Sequence, residues 1–337
     1  MAEPDRGPRV QWHGIEQELS PLGFGTSALM SRVNRRDSAR LLQTALDAGI
    51  THFDTARSYG FGEAEMAVGD LLAGRRDRVT VTTKVGILPP RRSAGLAAAK
   101  AVARGLLRVL PGMRDQLRRR AGGLVQAERF DTASMTDSLH TSLRQLRTDY
   151  VDFLLLHEPS FAVLATTEAL SFLERVQREG KVRNFGIAAT PEVAEIALEQ
   201  AAEYTSVLQL SHGVFTPNLQ SLRRGPPGVV FTHSALGTRF GALQAQLKQD
   251  ARLRAQWTEA LRVDLGEPGS LVGLALQYAR VALPRVVVLF TSTQPAHVLQ
   301  NAAALKPVIS AEELKKFEAL VQEWSAMDGG RLKRAGS

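Results

Sequence analysis

Four side chains of complementary chemistry stand near the ends of short apolar runs. Asp54 closes Thr51–Asp54, Lys84 lies at the end of Val79–Val85, and His157 closes Val151–His157. Tyr59 follows Asp54 by five residues in a loop closed by Gly60. A lysine ending an apolar run is costly to bury alone, and Asp54 is the obvious counter-charge. An ammonium beside Tyr59 favours the tyrosinate and lowers the phenol pKa from about 10. A tyrosine so tuned can give a proton to a carbonyl oxygen or take one from an alcohol, and a neutral His157 can polarise the same oxygen. The set is equipped for carbonyl reduction but contains no hydride source, so a nicotinamide cofactor is implied. Taken singly, Asp54 also reads as a loop cap, His157 as a core histidine and Tyr59 as a packed loop aromatic. Only the combination is specific.

Such a set works if its strands end at one mouth. Eight apolar runs read as buried strands: Leu22–Gly25, Thr51–Asp54, Val79–Val85, Val151–His157, Val182–Ala188, Ser206–Leu210, Val229–His233 and Val286–Phe290. Helical stretches alternate with them. Asp37 or Ser38 is expected to cap the first, Gly49 to end it, and Ser134–Asp137 to form a capping box. Gly180 closes a third, Thr190-Pro191 opens the next, and Ser310–Glu313 starts a C-terminal one. Continuous apolar strands alternating with helices are the pattern of a parallel sheet buried on both faces. Eight units favour a closed (β/α)₈ TIM barrel, an α/β fold whose active sites sit where strands end.

The chain of 337 residues suits one such domain, 1–337, with an N-terminal cover before Leu22 and long βα-loop insertions. The formal charge is +8. Ten of its cations stand against three acids in 88–131, so the basicity is a local insertion rather than a nucleic-acid-binding field. A second insertion spans about 238–268, and 331–337 reads as a flexible tail. There is no cysteine, which removes disulfides and thiolate nucleophiles, and no metal is expected. No apolar run long enough for a membrane span and no secretory leader is read at Met1–Arg9, so a cytoplasmic location is expected.

From about Leu22 to Asn301 the chain resembles the aldo-keto reductases. The matching stretches are Leu-Gly-Phe-Gly-Thr (22–26), Phe-Asp-Thr-Ala-x-x-Tyr-Gly (53–60), Thr-Lys (83–84), Arg-Thr-Asp-Tyr-Val-Asp (147–152), Leu-Leu-His (155–157) and Glu-Gly-Lys-Val-Arg-Asn-Phe-Gly-Ile (179–187). The resemblance implies the barrel, with Tyr59 as general acid/base beside Asp54, Lys84 and His157. It also implies an NAD(P)(H) cradle. Gly25, Thr26, Asp54 and Gln209 would lie along the nicotinamide half. Ser234, Leu236, Gly237 and Thr238 would line the pyrophosphate, Ser292 and Thr293 would sit at a helix start near the adenosine phosphate, and Asn301 near adenine.

Three departures from that pattern stand out. The fifth strand ends in Ala188-Ala189 where Ser-Asn is usual, leaving compensation to Thr190 or backbone groups. His233 replaces the aromatic that stacks on nicotinamide. The stretch holding Thr291, Thr293 and His297 carries no Lys or Arg for a 2′-phosphate, which leans the choice toward NAD unless Arg239 supplies the charge. Pocket walls are expected from Phe24, Arg57, Ser58, Phe61, Glu158 and Phe215, around a small aldehyde, ketone, sugar or alcohol. Two other readings stay open: a barrel lyase using Lys84 as a Schiff-base amine, and a cofactor-holding regulatory or binding protein with little turnover.

Overall fold

The computed structural model describes residues 10–12, 15–89, 128–306 and 308–334. Most of the basic insertion at 88–131 therefore lies outside the described residues. In chain order the strands are β1 Val10–Trp12, β2 Ile15–Leu19, β3 Leu22–Gly25, β4 His52–Asp54, β5 Thr80–Val85, β6 Val151–His157, β7 Val182–Ala188, β8 Val207–Ser211, β9 Val229–His233 and β10 Val286–Phe290. The helices are α1 Arg35–Asp47, α2 Ala64–Leu72, α3 Thr132–Leu146, α4 Phe161–Leu164, α5 Thr167–Arg178, α6 Pro191–Gln200, α7 Asn218–Ser221, α8 Phe240–Gln249, α9 Ala251–Leu261, α10 Ser270–Val281, α11 Pro295–Ala303 and α12 Ala311–Arg334.

Strands β3 to β10 pair in parallel and close into a barrel, β10 lying between β9 and β3. The eight runs read from sequence are these eight strands, five of them to the residue. The antiparallel β1–β2 hairpin is the N-terminal cover. Leu19 at its end is fully buried with Phe153, Val207, Val229 and Val287, plugging the barrel floor. The mid-barrel holds His52, stacked on Phe231 with ring centroids 4.5 Å apart and hydrogen-bonded to Thr80 and Thr82. Burial, with a smaller push from Lys84, lowers His52 to about 3, so it stays neutral. The larger core lies between strands and helices, where Leu41, Leu42, Val68, Met135, Leu139, Phe172 and Leu173 pack on the outward strand residues.

Two helix starts differ from expectation. Asn34 caps α1 by accepting from Asp37 N, so the helix begins before Asp37, and Ser38 is buried against Met30 instead. Asp131, not Ser134, caps α3, its carboxylate accepting from Ser134 N at 2.9 Å. In both places a better side-chain acceptor sits three residues upstream. Thr190 caps α6 with Pro191 at the first position, and Ser310 and Glu313 make the reciprocal capping box of α12. The 238–268 insertion is the helical pair α8–α9, packed with α10 and α12 around Trp257, Tyr278, Phe317 and Trp324. Helix α12 runs through Arg334, into the stretch expected to fray from Arg331.

Candidate active site

Sheet register brings the first two groups together. Asp54 ends β4, and β5 pairs with it so that Asp54 lies level with Thr82, two residues before Lys84. Both side chains are buried, and Lys84 Nζ donates to Asp54 Oδ1 at 2.7 Å, to Oδ2 at 2.8 Å and to the Thr55 carbonyl at 3.0 Å. Tyr59 comes from the loop after β4, in a turn where Gly60 and Phe61 both take left-handed backbone. A Cβ on Gly60 would come within 2.7 Å of the Leu29 carbonyl, so the turn packs too closely there for any other residue. Lys84 Nζ lies 3.4 Å from Tyr59 Oη, and the His157 ring, at the end of β6, meets the Tyr59 ring edge-on at 5.9 Å. All four sequence-predicted groups thus converge on one mouth.

Electrostatics assigns their protonation. Burial pulls the Lys84 ammonium down, but Asp54 and then Tyr59 outweigh it and leave the pKa above the ordinary lysine value. Lys84 is therefore an ammonium, and no free amine is offered for a Schiff base. His157 is lowered to about 3, by burial first and Lys84 second, so it is a neutral imidazole whose buried Nδ1 has no partner. Tyr59 corrects an expectation. Lys84 does pull the phenol down, but burial pushes it up more strongly and Asp54 adds to that, so the net shift is upward. At neutral pH the group is a phenol holding its proton.

A cleft of about 280 Å³ opens over this group, lined by Ser27, Ser31, Ser58, Tyr59, Gly60, Phe61, Ile87, His157 and Glu158. Ser58, Phe61 and Glu158, named above as wall candidates, lie in this lining. Glu158 sits in left-handed backbone at φ 53°, its N–H donating to the Ala188 carbonyl at 2.7 Å. Three expected walls are elsewhere. Phe24 is fully buried and faces the helix layer against Phe53 and Phe290. Side chains alternate along a strand, and it is Gly23 that faces inward, toward Leu289 and His52. Arg57 turns away from the cleft and binds Glu65 and Gln145, each at 3.1 Å. Phe215 packs on Trp324 instead. Ser27, Ser31 and Ile87 were missed, because no periodic pattern marks residues of irregular loops.

The cofactor candidates gather on the other side of the mouth, at the ends of β8, β9, β10 and β3. Thr26 and Gln209 are buried, and Thr26 Oγ1 and Gln209 Oε1 have no hydrogen-bond partner. Gly25 is half-buried beside them. His233 is exposed at the end of β9, with Nδ1 3.0 Å from Ser234 Oγ. Ser234 and Gly237 take left-handed backbone, and Leu236 and Thr238 complete that loop. Ser292 Oγ accepts from Gln294 N just before α11, Thr293 and His297 are exposed, and Asn301 lies on α11. Thr190 is engaged as the cap of α6, so it is not a free substitute for the missing Ser-Asn side chains. Arg239 stacks on Trp324 at 4.7 Å and donates to the Ser325 carbonyl at 3.4 Å, which holds it to α12. Among the described residues no group of three or more His, Cys, Asp or Glu is placed to hold a metal.

The Aldo/keto reductase family model matches residues 21–223. A D-threo-aldose 1-dehydrogenase from a Pseudomonas species is 29% identical over 314 residues, covering 84% of this chain and 88% of the relative. A pyridoxal 4-dehydrogenase from Microbacterium luteolum is 28% identical, over 60% of this chain and 64% of that one. Among solved structures, an aldo-keto reductase from Klebsiella pneumoniae in complex with NADP and acetate is 23% identical. It superposes with a TM-score of 0.64 over 93% of this chain and 94% of the other.

Proposed function

The chain belongs to the aldo/keto reductase family, and on that premise we propose that Tyr59 is the general acid and base of its reaction. The protein is an NAD(P)-dependent oxidoreductase that interconverts carbonyls and alcohols. The observation that carries the role of Tyr59 is the buried Asp54–Lys84–Tyr59 chain at the floor of the cleft. In the reducing direction the phenol, raised by burial, gives its proton to the carbonyl oxygen. Lys84 then stabilises the tyrosinate left behind, and Asp54 keeps Lys84 charged. Neutral His157 is on hand to donate a second hydrogen bond to the same oxygen. Phe61 and Glu158 form the walls that hold the substrate.

A nicotinamide cofactor, when bound, supplies the hydride. The residues fit it. A buried carbonyl-type oxygen without a partner costs roughly 1–3 kcal/mol, and Gln209 Oε1 is such an atom, an acceptor suited to the amide of a carboxamide. Gly25, Thr26 and Asp54 would lie along the same half, with His233 as a small platform. Ser234, Leu236, Gly237 and Thr238 would take the pyrophosphate, and Ser292, Thr293, His297 and Asn301 the adenosine end. The NADP of the Klebsiella relative supports a nicotinamide dinucleotide here. The loop after β10 has no cation, and Arg239 is held to α12. Charge-assisted hydrogen bonds, about twice as strong as neutral ones, are thus missing for a 2′-phosphate.

NAD(H) is accordingly expected to serve at least as well as NADP(H), and His297→Arg to shift the preference toward NADP. Fluorescence titration with both cofactors measures this, and a hundredfold wild-type preference for NADPH would overturn it. Screening aldehydes, ketones, sugars and secondary alcohols with both cofactors tests the activity. Turnover is expected. Cofactor binding without turnover of any substrate would favour a regulatory protein.

A further inference from the structure

We propose that Glu65 is a positioning residue, tying the loop that carries Tyr59 to the strand that carries Lys84. The inference rests on the roles given above to Tyr59 and Lys84. Those two groups are placed by different means. Lys84 sits in β5, locked by the ladders to β4 and β6. Tyr59 arrives on a turn containing two left-handed residues, with its N–H donating only to the Ala56 carbonyl at 3.1 Å. Its contact with Lys84 is long for a hydrogen bond, at 3.4 Å. A drift of a few tenths of an ångström in the turn would break it.

Glu65 sits where that drift can be stopped. It lies in the first turn of α2, directly after the Tyr59 turn, and its side chain is wholly buried. Oε1 accepts from Thr83 Oγ1 at 2.6 Å, and Oε2 accepts from Arg57 Nη1 at 3.1 Å. Thr83 is the residue before Lys84, and Arg57 stands two before Tyr59. One carboxylate therefore grips both segments next to Lys84 and Tyr59, from behind the sheet and away from the cleft. Arg57 also donates to Gln145 on α3 at 3.1 Å, which anchors the loop end to a third element. Burying a carboxylate is expensive and an apolar side chain would often serve stability as well. The placement of its two oxygens is what an apolar residue could not reproduce.

Two variants test this, each cutting a tether at a different point: Glu65→Leu removes both grips, and Thr83→Val removes only the one on β5. The probes are the full chain with tyrosine rings labelled at Cζ, NADH, and benzaldehyde. The chain has four tyrosines, so the Tyr59 resonance is assigned by its loss in Tyr59→Phe. The Tyr59 resonance is expected to move in both variants. The kcat is expected to fall about tenfold to a hundredfold, more in Glu65→Leu, with the Kd for NADH little changed. A Tyr59 resonance unmoved in both variants, while their Tm falls, would show Glu65 to be structural only and overturn the inference. Because the resonance is read without turnover, it remains informative if Tyr59→Phe keeps full activity. That result would count against the proposed role of Tyr59 and not against the tether.

Discussion

Strand β6 carries a buried ionisable residue near each end of the barrel, and the two ends make an instructive pair. At its start, Asp152 is wholly buried and accepts from Arg76 at 2.7 Å and from Val81 N at 2.8 Å, with Arg183 at 3.6 Å. Arg76 and Arg183 both lie against the Tyr150 ring, at 4.0 and 4.3 Å. Across the mouth from the other end, Asp54 binds Lys84 beside Tyr59. Both clusters hold a carboxylate, at least one cation and a tyrosine. At the floor the cations are arginines, which do not release protons, the phenol ring serves as a stacking surface, and the Arg76 donors go to Thr148 Oγ1 and the Val79 and Tyr150 carbonyls. At the mouth the cation is a lysine aimed at a phenolic oxygen, and a cleft opens above. On the role proposed for Tyr59, the same ingredients make a clamp in one place and a proton-transfer site in the other. What distinguishes them is access and a transferable proton, which matches the general division of a barrel into a stabilising floor and a catalytic top.

Substitution should separate the two ends. The largest effect is expected for Lys84→Met, which leaves Asp54 buried without its partner and removes the stabiliser of the tyrosinate. Turnover should fall by roughly 10²–10⁴ or more, with a stability loss of about 3–5 kcal/mol. Steady-state kinetics and urea unfolding read the two together, and an active Lys84→Met enzyme would contradict the division. Asp152→Ala at the floor should cost a similar few kcal/mol, since it strands Arg76 and the Val81 N–H. The folded fraction should keep its kcat. A selective loss of kcat there, without loss of stability, would show the floor to be coupled to the chemistry.

A smaller effect concerns acid. His157 is lowered to about 3 from an ordinary 6.5, so the unfolded chain binds a proton that the folded one refuses. Its contribution to stability is complete above about pH 6.5 and is lost as pH falls toward 3, by at most ~1.4 kcal/mol per pH unit. Unfolding free energies measured across that window should fall less steeply in His157→Gln than in the wild type. Equal slopes would mean that His157 is not held neutral.

The comparison also explains what could be read from the sequence. The strands were legible because nearly all of their residues are buried, leaving short runs dominated by apolar and β-branched side chains, and the four reactive groups because each lies at or just after a strand end. Phe24 was misplaced because Leu22-Gly23-Phe24-Gly25 alternates large residues with glycines and has no polar side chain to tell inside from outside. Arg57 was expected at the pocket wall because its partner Glu65 is buried only through the packing of α2 on β5, and no local pattern announces that. The helix starts were misjudged where Asn34 and Asp131 competed with later polar residues for the same orphan N–H groups. The direction of the Tyr59 shift was misread because counting neighbouring charges omits the desolvation that outweighs them.

The role of Tyr59 is the central claim, and single-turnover reduction by Tyr59→Phe tests it most directly. The variant keeps the ring and its packing while removing only the proton. With saturating reduced cofactor and an aldehyde that the wild type reduces, its rate is predicted to fall at least roughly 10²-fold, while cofactor affinity stays close to that of the wild type. A Tyr59→Phe enzyme that reduces the aldehyde at near-normal rate would contradict the account and show that another group gives the proton.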